Sequence, residues 1–187
     1  MQMLILKLLL SKQLILLQST HSNLPMSQSK FKISHKPNIF YGDYIERLED
    51  WQSIRNLVNE LQDPVDVLIN IFQNCPRTKT NTNIYKRDTW LTPWQLIEKN
   101  EYDLVDISLL VSYTVLLTDN FKDENVKIHT VYKKEFKSNN QKFNYIIEMK
   151  NTLINTHTMA KLSKSEFDKN YILQYTTHIQ ELINTKN

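Results

Sequence analysis

Apolar residues recur at helical spacing from Ile45 through Leu48, Trp51, Ile54, Leu57, Val58 and Leu61. That period predicts an amphipathic helix entered at Asp43, whose carboxylate suits an N-cap. A second helix is expected from Pro64 to Phe72, with proline in its first turn and Val65, Leu68, Ile69 and Phe72 along one side. Residues 74–89 are polar and read as a loop. Thr92-Pro93 then starts another helix, threonine as cap and proline at the first helical position. The segment 103–118, DLVDISLLVSYTVLLT, is apolar nearly all round, which predicts a central, buried helix capped by Asp103.

After that helix the period changes to two. Val126, Ile128, Thr130 and Tyr132 alternate with polar residues, as do Phe143, Tyr145, Ile147 and Met149 beyond the turn-like Ser138-Asn139-Asn140. Both runs predict half-buried strands. A third strand fits Asn151 to Thr158. The last segment supports two readings, a strand over Tyr171–His178 or an amphipathic helix over 165–185. Helices first and antiparallel strands later give an α+β class with the central helix packed on the sheet.

The N-terminal residues 1–17, MQMLILKLLLSKQLILL, are mostly apolar but interrupted by Lys7 and Lys12. They are too short for a membrane span and fit a degenerate secretory signal or an amphipathic extension. A signal over residues 1–22 would make the protein periplasmic or exported; without one it would be cytoplasmic. A polar linker follows, so the expected organisation is a 1–38 leader and linker and a 39–187 domain.

Composition narrows the chemistry. Gly42 is the single glycine of the 187 residues, so no glycine-rich phosphate loop exists and nucleotide sites of that kind are excluded. A net charge of +3 with scattered basic residues lacks the basic stripe of a nucleic-acid binder. The one cysteine, Cys75, permits neither an internal disulfide nor a cysteine metal cluster. In Asn74-Cys75-Pro76 it has no visible base and reads as a buried structural thiol.

The run from Asp88 to Ser108, D-T-W-L-T-P-W-Q-L-I-E-K-N-E-Y-D-L-V-D-I-S, resembles the hallmark of the bacterial transglutaminase-like cysteine proteinases, D-x-W-x-T-P-x-E-x-L-x-x-G-x-G-D-C-E-D-Y-A. The two align without a gap: Asp88, Trp90, Thr92, Pro93, Asp103 and Asp106 match, Gln95 stands for Glu and Ile97 for Leu. Arg47-x-x-x-Trp51, Asn70-x-Phe72-x-Asn74 and Gln174-Tyr175-Thr176 resemble flanking segments of the family, so the resemblance covers about 41–183. It implies a papain-like, transglutaminase-like core.

In that family a cysteine at the start of the buried helix attacks a peptide carbonyl, aided by a histidine base and an orienting aspartate. The resemblance places these roles at Leu104, Asn144 and Asn155. Leucine has nothing to attack with, and asparagine accepts no proton near neutral pH. The implied function is a catalytically degenerate pseudoenzyme that binds a peptide or protein partner. His129 and His157 are the histidines that a shifted register would bring near.

The family's acidic stretch also supplies calcium ligands. Asp103 and Asp106 remain, with Val105 between them, so two readings are open: weak calcium binding, or Asp103 as the helix cap with Asp106 in a surface pair. The resemblance further places Trp90, Trp94 and Tyr102 on the cleft wall, where Tyr102 would narrow the entrance; ordinary core packing is the other reading of the tryptophans. Two alternatives remain: a hydrolase using other groups, with Ser108 and Ser112 as candidate hydroxyls, and an exported or membrane-tethered interaction module anchored by residues 1–17.

Overall fold

The computed structural model describes residues 37–79, 89–134 and 143–185. The N-terminal apolar segment through residue 36, Asp88 and the Ser138-Asn139-Asn140 turn lie outside these described residues. From Pro37 onward the chain forms one unit.

Four helices come first: α1 (Tyr44–Glu60), α2 (Val65–Phe72), α3 (Pro93–Lys99) and α4 (Leu104–Leu116). Then follow β1 (Lys127–Lys133), β2 (Phe143–Met149), β3 (Thr152–Asn155), β4 (Ala160–Leu162), α5 (Lys164–Asn170), β5 (Tyr171–His178) and α6 (Ile179–Thr185). The class is α+β, as the order of periods predicts. The five strands form one antiparallel sheet in the order β4-β3-β2-β1-β5. The C-terminal ambiguity resolves in favour of the strand: Tyr171–His178 is β5, and in place of one helix over 165–185 a short helix stands on either side of it.

Local chemistry sets the helix starts. Asp43, Thr92, Asp103 and Ser163 each close a capping box with the residue three positions on, satisfying backbone N–H groups that the first turn leaves unpaired. Pro64 sits one place earlier than expected, as the N-cap of α2 rather than within its first turn.

The ends are handled differently. The chain leaves α3 through Asn100 in the left-handed conformation, φ 54°, which asparagine tolerates better than most residues. The last carbonyls of α3 find a donor in α1. The half-buried to buried Arg47 guanidinium donates from Nε to the Ile97 carbonyl (3.0 Å), from Nη2 to the Glu98 carbonyl (3.2 Å) and from Nη1 to the Gly42 carbonyl (2.6 Å).

Helix α4 is the centre. Every residue from Val105 to Leu116 is buried. On one side it meets α1, where the fully buried Trp51 donates its indole N–H to Thr114 Oγ1 at 2.9 Å. On the other it meets the first face of the sheet through Ile128, Tyr145, Ile147, Met149 and Ile154.

The strands depart from the expected half-burial. On the second face, Val131, Ile146 and Leu153 form a smaller cluster with Phe167 of α5 and Tyr171 of β5. Residues His129 to Val131 are therefore buried in succession rather than alternately. The reason is α5, which lays Phe167 over a face that periodicity alone assigned to solvent. The expected third strand is also divided: it stops at Asn155, and a turn through Met159, at φ 47°, reverses the chain into β4.

Candidate functional site

The start of α4 is where the resemblance locates chemistry. Asp103 Oδ1 accepts the backbone N–H groups of Val105 (2.8 Å) and Asp106 (3.0 Å). Asp106 Oδ2 receives Lys99 Nζ at 2.5 Å and, more weakly, the Asp103 N–H at 3.3 Å. The loop at Pro76–Thr78 is laced to Tyr102 by two backbone bonds, Tyr102 N–H to the Pro76 carbonyl (3.1 Å) and Thr78 N–H to the Tyr102 carbonyl (3.0 Å). Helix start, preceding loop and the Cys75 segment are thus one rigid corner.

Leu104 is half-buried at the first helical position, packed against the main core. The other two expected positions face elsewhere. Strand β2 sends Tyr145 and Ile147 toward α4 and Ile146 to the second cluster. Asn144 is two residues from Ile146 and opposite Val131, which puts it on the second face. Asn155 pairs with Ile146 and donates from Nδ2 to the Tyr171 hydroxyl at 2.8 Å, on that same face. Its Oδ1 accepts the His157 N–H at 2.9 Å, fixing the turn.

The structure therefore brings Asn144 and Asn155 to one side of the sheet and Leu104 to the other. The residues that do reach the first turns of α4 are one step along each strand. Thr156 Oγ1 lies 2.9 Å from Ser108 Oγ, and the Thr156 N–H bonds to the Tyr145 carbonyl at 3.1 Å. A one-residue shift moves every side chain of a strand to its other face. In the sequence, the alternation of Phe143, Tyr145, Ile147 and Met149 was the available signal that Asn144 faces the other way.

Ser108 and Ser112 are fully buried, and each hydroxyl donates to the carbonyl four residues back, both at 2.7 Å. This is ordinary back-bonding in a helix interior, so neither is a reachable nucleophile. Cys75 is buried, and burial holds its thiol well above the ordinary range, against a smaller opposing effect from Arg77. The thiolate needed for attack is thereby disfavoured.

The expected cleft wall dissolves into core. Trp90 is buried, and Tyr102 is wholly buried with its ring edge-to-face on Phe40 at 5.8 Å. Tyr102 fills the interior rather than narrowing an entrance. Trp94 alone is exposed, 48%, its ring set edge-on against Trp51 at 5.3 Å.

Two carboxylates do not make a calcium site, which takes six to eight oxygens. Among the described residues no group of three or more His, Cys, Asp or Glu side chains could hold a metal ion. Asp103 is committed to the helix cap and Asp106 is neutralised by Lys99, so this donor set does not fit calcium. Burial raises the Asp106 pKa, and the Lys99 hydrogen bond only partly offsets it.

No helix among the described residues is long and apolar enough to cross a membrane. No protein-family model matches the chain, and no curated protein matches it.

Proposed function

We propose that the chain is a proteolytically silent relative of the transglutaminase-like cysteine proteinases, with a papain-like core that binds a peptide or protein partner without cutting it. The observation that carries this reading is the corner from Thr92 to Asp106. A Thr-Pro helix start, a left-handed residue at Asn100 and an Asp-capped buried helix follow one another at the spacing of the family's hallmark. Asn100 falls where that hallmark has glycine, the residue most tolerant of such a backbone. The nucleophile's place is taken by Leu104, and the helix-facing strand residues nearby, Tyr145 and Thr156, supply no base.

The test combines activity and metal response on the full chain. Casein and peptide libraries are expected to remain uncleaved, with or without calcium. The melting temperature is expected not to move with calcium, since a ligand bound only by the native state would raise it. Restoring the thiol by Leu104→Cys is expected to create a cysteine that iodoacetamide alkylates faster than Cys75, because it sits at a helix N-terminus and nearer solvent. Proteolysis by the wild-type chain that is lost on substitution at Leu104, Tyr145 or Thr156 would overturn the silent reading. Equal alkylation of both thiols would remove the helix start as the ancestral nucleophile position.

A further inference from the structure

The second face of the sheet carries a set of groups that the α4 corner does not use. His129 of β1 sits between two strands. Its Nδ1 lies 2.8 Å from Thr176 Oγ1 of β5, and its Nε2 lies 2.7 Å from Glu148 Oε2 of β2. Lys127 Nζ holds the other Glu148 oxygen at 2.9 Å. The His129 side chain is 10% exposed, with the Phe167 ring 5.9 Å away. Thr176 is half-buried on β5, the last strand of the sheet.

The proton inventory of this row follows from its partners. An ionised carboxylate only accepts hydrogen bonds, so the Glu148 contact requires the proton on His129 Nε2. That leaves the Nδ1 lone pair to accept the Thr176 hydroxyl proton. Burial favours the neutral imidazole, against the raising effect of Glu148 and with minor help from Lys127 and Lys164. At Glu148 burial acts upward, but the hydrogen bonds from Lys127 and His129 outweigh it and hold the carboxyl below its usual range. Hydroxyl, neutral base and anionic orienting group stand in line, the arrangement that activates an oxygen nucleophile.

We propose that Thr176, His129 and Glu148 form an acyl-transfer site, with Thr176 as nucleophile, His129 as base and Glu148 as a positioning residue, acting on small activated esters. Thr176 Oγ forms a bond to the acyl carbon while its proton passes to His129 Nδ1. The ester C–O bond breaks, and the departing alkoxide takes that proton from Nδ1. Water then attacks the acyl-threonine, giving one proton to Nδ1; the acyl–Oγ bond breaks, and Oγ recovers the proton. The site is independent of the α4 corner and of any cysteine chemistry there.

The test uses the full chain with p-nitrophenyl acetate and, separately, a fluorophosphonate probe followed by peptide mapping. The probe is expected on the peptide containing Thr176. Hydrolysis is expected to fall at least about a hundredfold toward background in Thr176→Val and in His129→Gln, the scale of losing a general base. Thr176→Ser is expected to retain it. Glu148→Gln is expected to lower the rate by about tenfold or more by losing the Nε2–H tautomer, and the wild-type rate is expected to rise with pH as His129 deprotonates and then level off. The near-isosteric valine variant keeps the β5 packing, so a fold check by circular dichroism separates lost chemistry from lost structure. A natively folded wild type that takes no label at Thr176, or a Thr176→Val variant that hydrolyses the ester as fast as wild type, would overturn the proposal.

Discussion

Asp106 concentrates the residue-scale electrostatics. Its side chain is wholly buried, one oxygen meets Lys99, and Oδ1 is buried without a hydrogen-bond partner. Burial raises its folded pKa above the ordinary carboxylate range. The folded state therefore holds this proton more tightly than the unfolded chain does. The associated stability is fully present in acid, below the unfolded pKa, and is lost as pH rises through the folded pKa. Urea unfolding of wild type and Asp106→Asn across pH 3 to 7 is expected to show the wild type losing ground to the variant as pH rises. A constant difference across that range would mean that the Lys99 pair fully compensates the desolvation. Of the side chains that the sequence offered for function, Asp103 was legible because a cap is local; Asp106, expected in a surface pair, is instead buried, because α3 and its Lys99 fold over the start of α4. The alternation of Tyr145 and Ile147 already put Asn144 on the face away from them, whereas the facing of Asn155 was not legible, because it depends on a register that the four residues of β3 do not fix.

At the scale of elements, capping was the most legible feature. Asp43, Thr92 and Asp103 each lead an apolar run in the sequence and each caps a helix in the structure. The fourth box, Ser163 with Glu166, starts a helix of seven residues, too short for a clear apolar period, and so α5 was hidden inside the ambiguous stretch 165–185. That omission also hid the burial of the second sheet face. The two kinds of cap differ in what depends on them. Asp103→Ala and Ser163→Ala are each expected to cost about 1 kcal/mol. Hydrogen exchange should distinguish them: loss of the Asp103 cap weakens protection along the central α4 and the strands packed on it, whereas loss of the Ser163 cap is confined to α5 and its contact with β5. Equal, global loss of protection in both variants would make α5 an integral part of the same cooperative unit.

At the scale of the molecule, the described chain is a helical layer and a sheet sharing α4, with a second, smaller core under α5. The large core joins all the early helices to the first sheet face, and the small one is built from Val131, Ile146, Leu153, Phe167 and Tyr171. Phe167→Ala removes the α5 ring that packs beside His129 of β1 in the small core. A cost of about 3 kcal/mol is expected, at the lower end for a buried phenylalanine because the site opens toward solvent and can relax. The same change uncovers His129, so ester hydrolysis at Thr176 should shift its pH dependence upward toward that of an ordinary imidazole. An unchanged melting midpoint would show that α5 contributes little to holding the sheet.

The placement of the tryptophans gives the protein an optical asymmetry. Trp51, Trp90 and Trp94 all belong to the helical side, and the strands contain none. Trp51 and Trp94 stand edge to face at 5.3 Å, with the Arg55 guanidinium 4.5 Å above the Trp51 ring. Two indoles so close and so nearly perpendicular couple as chromophores, which makes their near-ultraviolet dichroism a signal of α1 and α3 remaining docked. Indole emission excited at the red edge then reports the helical layer alone, so the docking of α1 and α3 can be followed without a label.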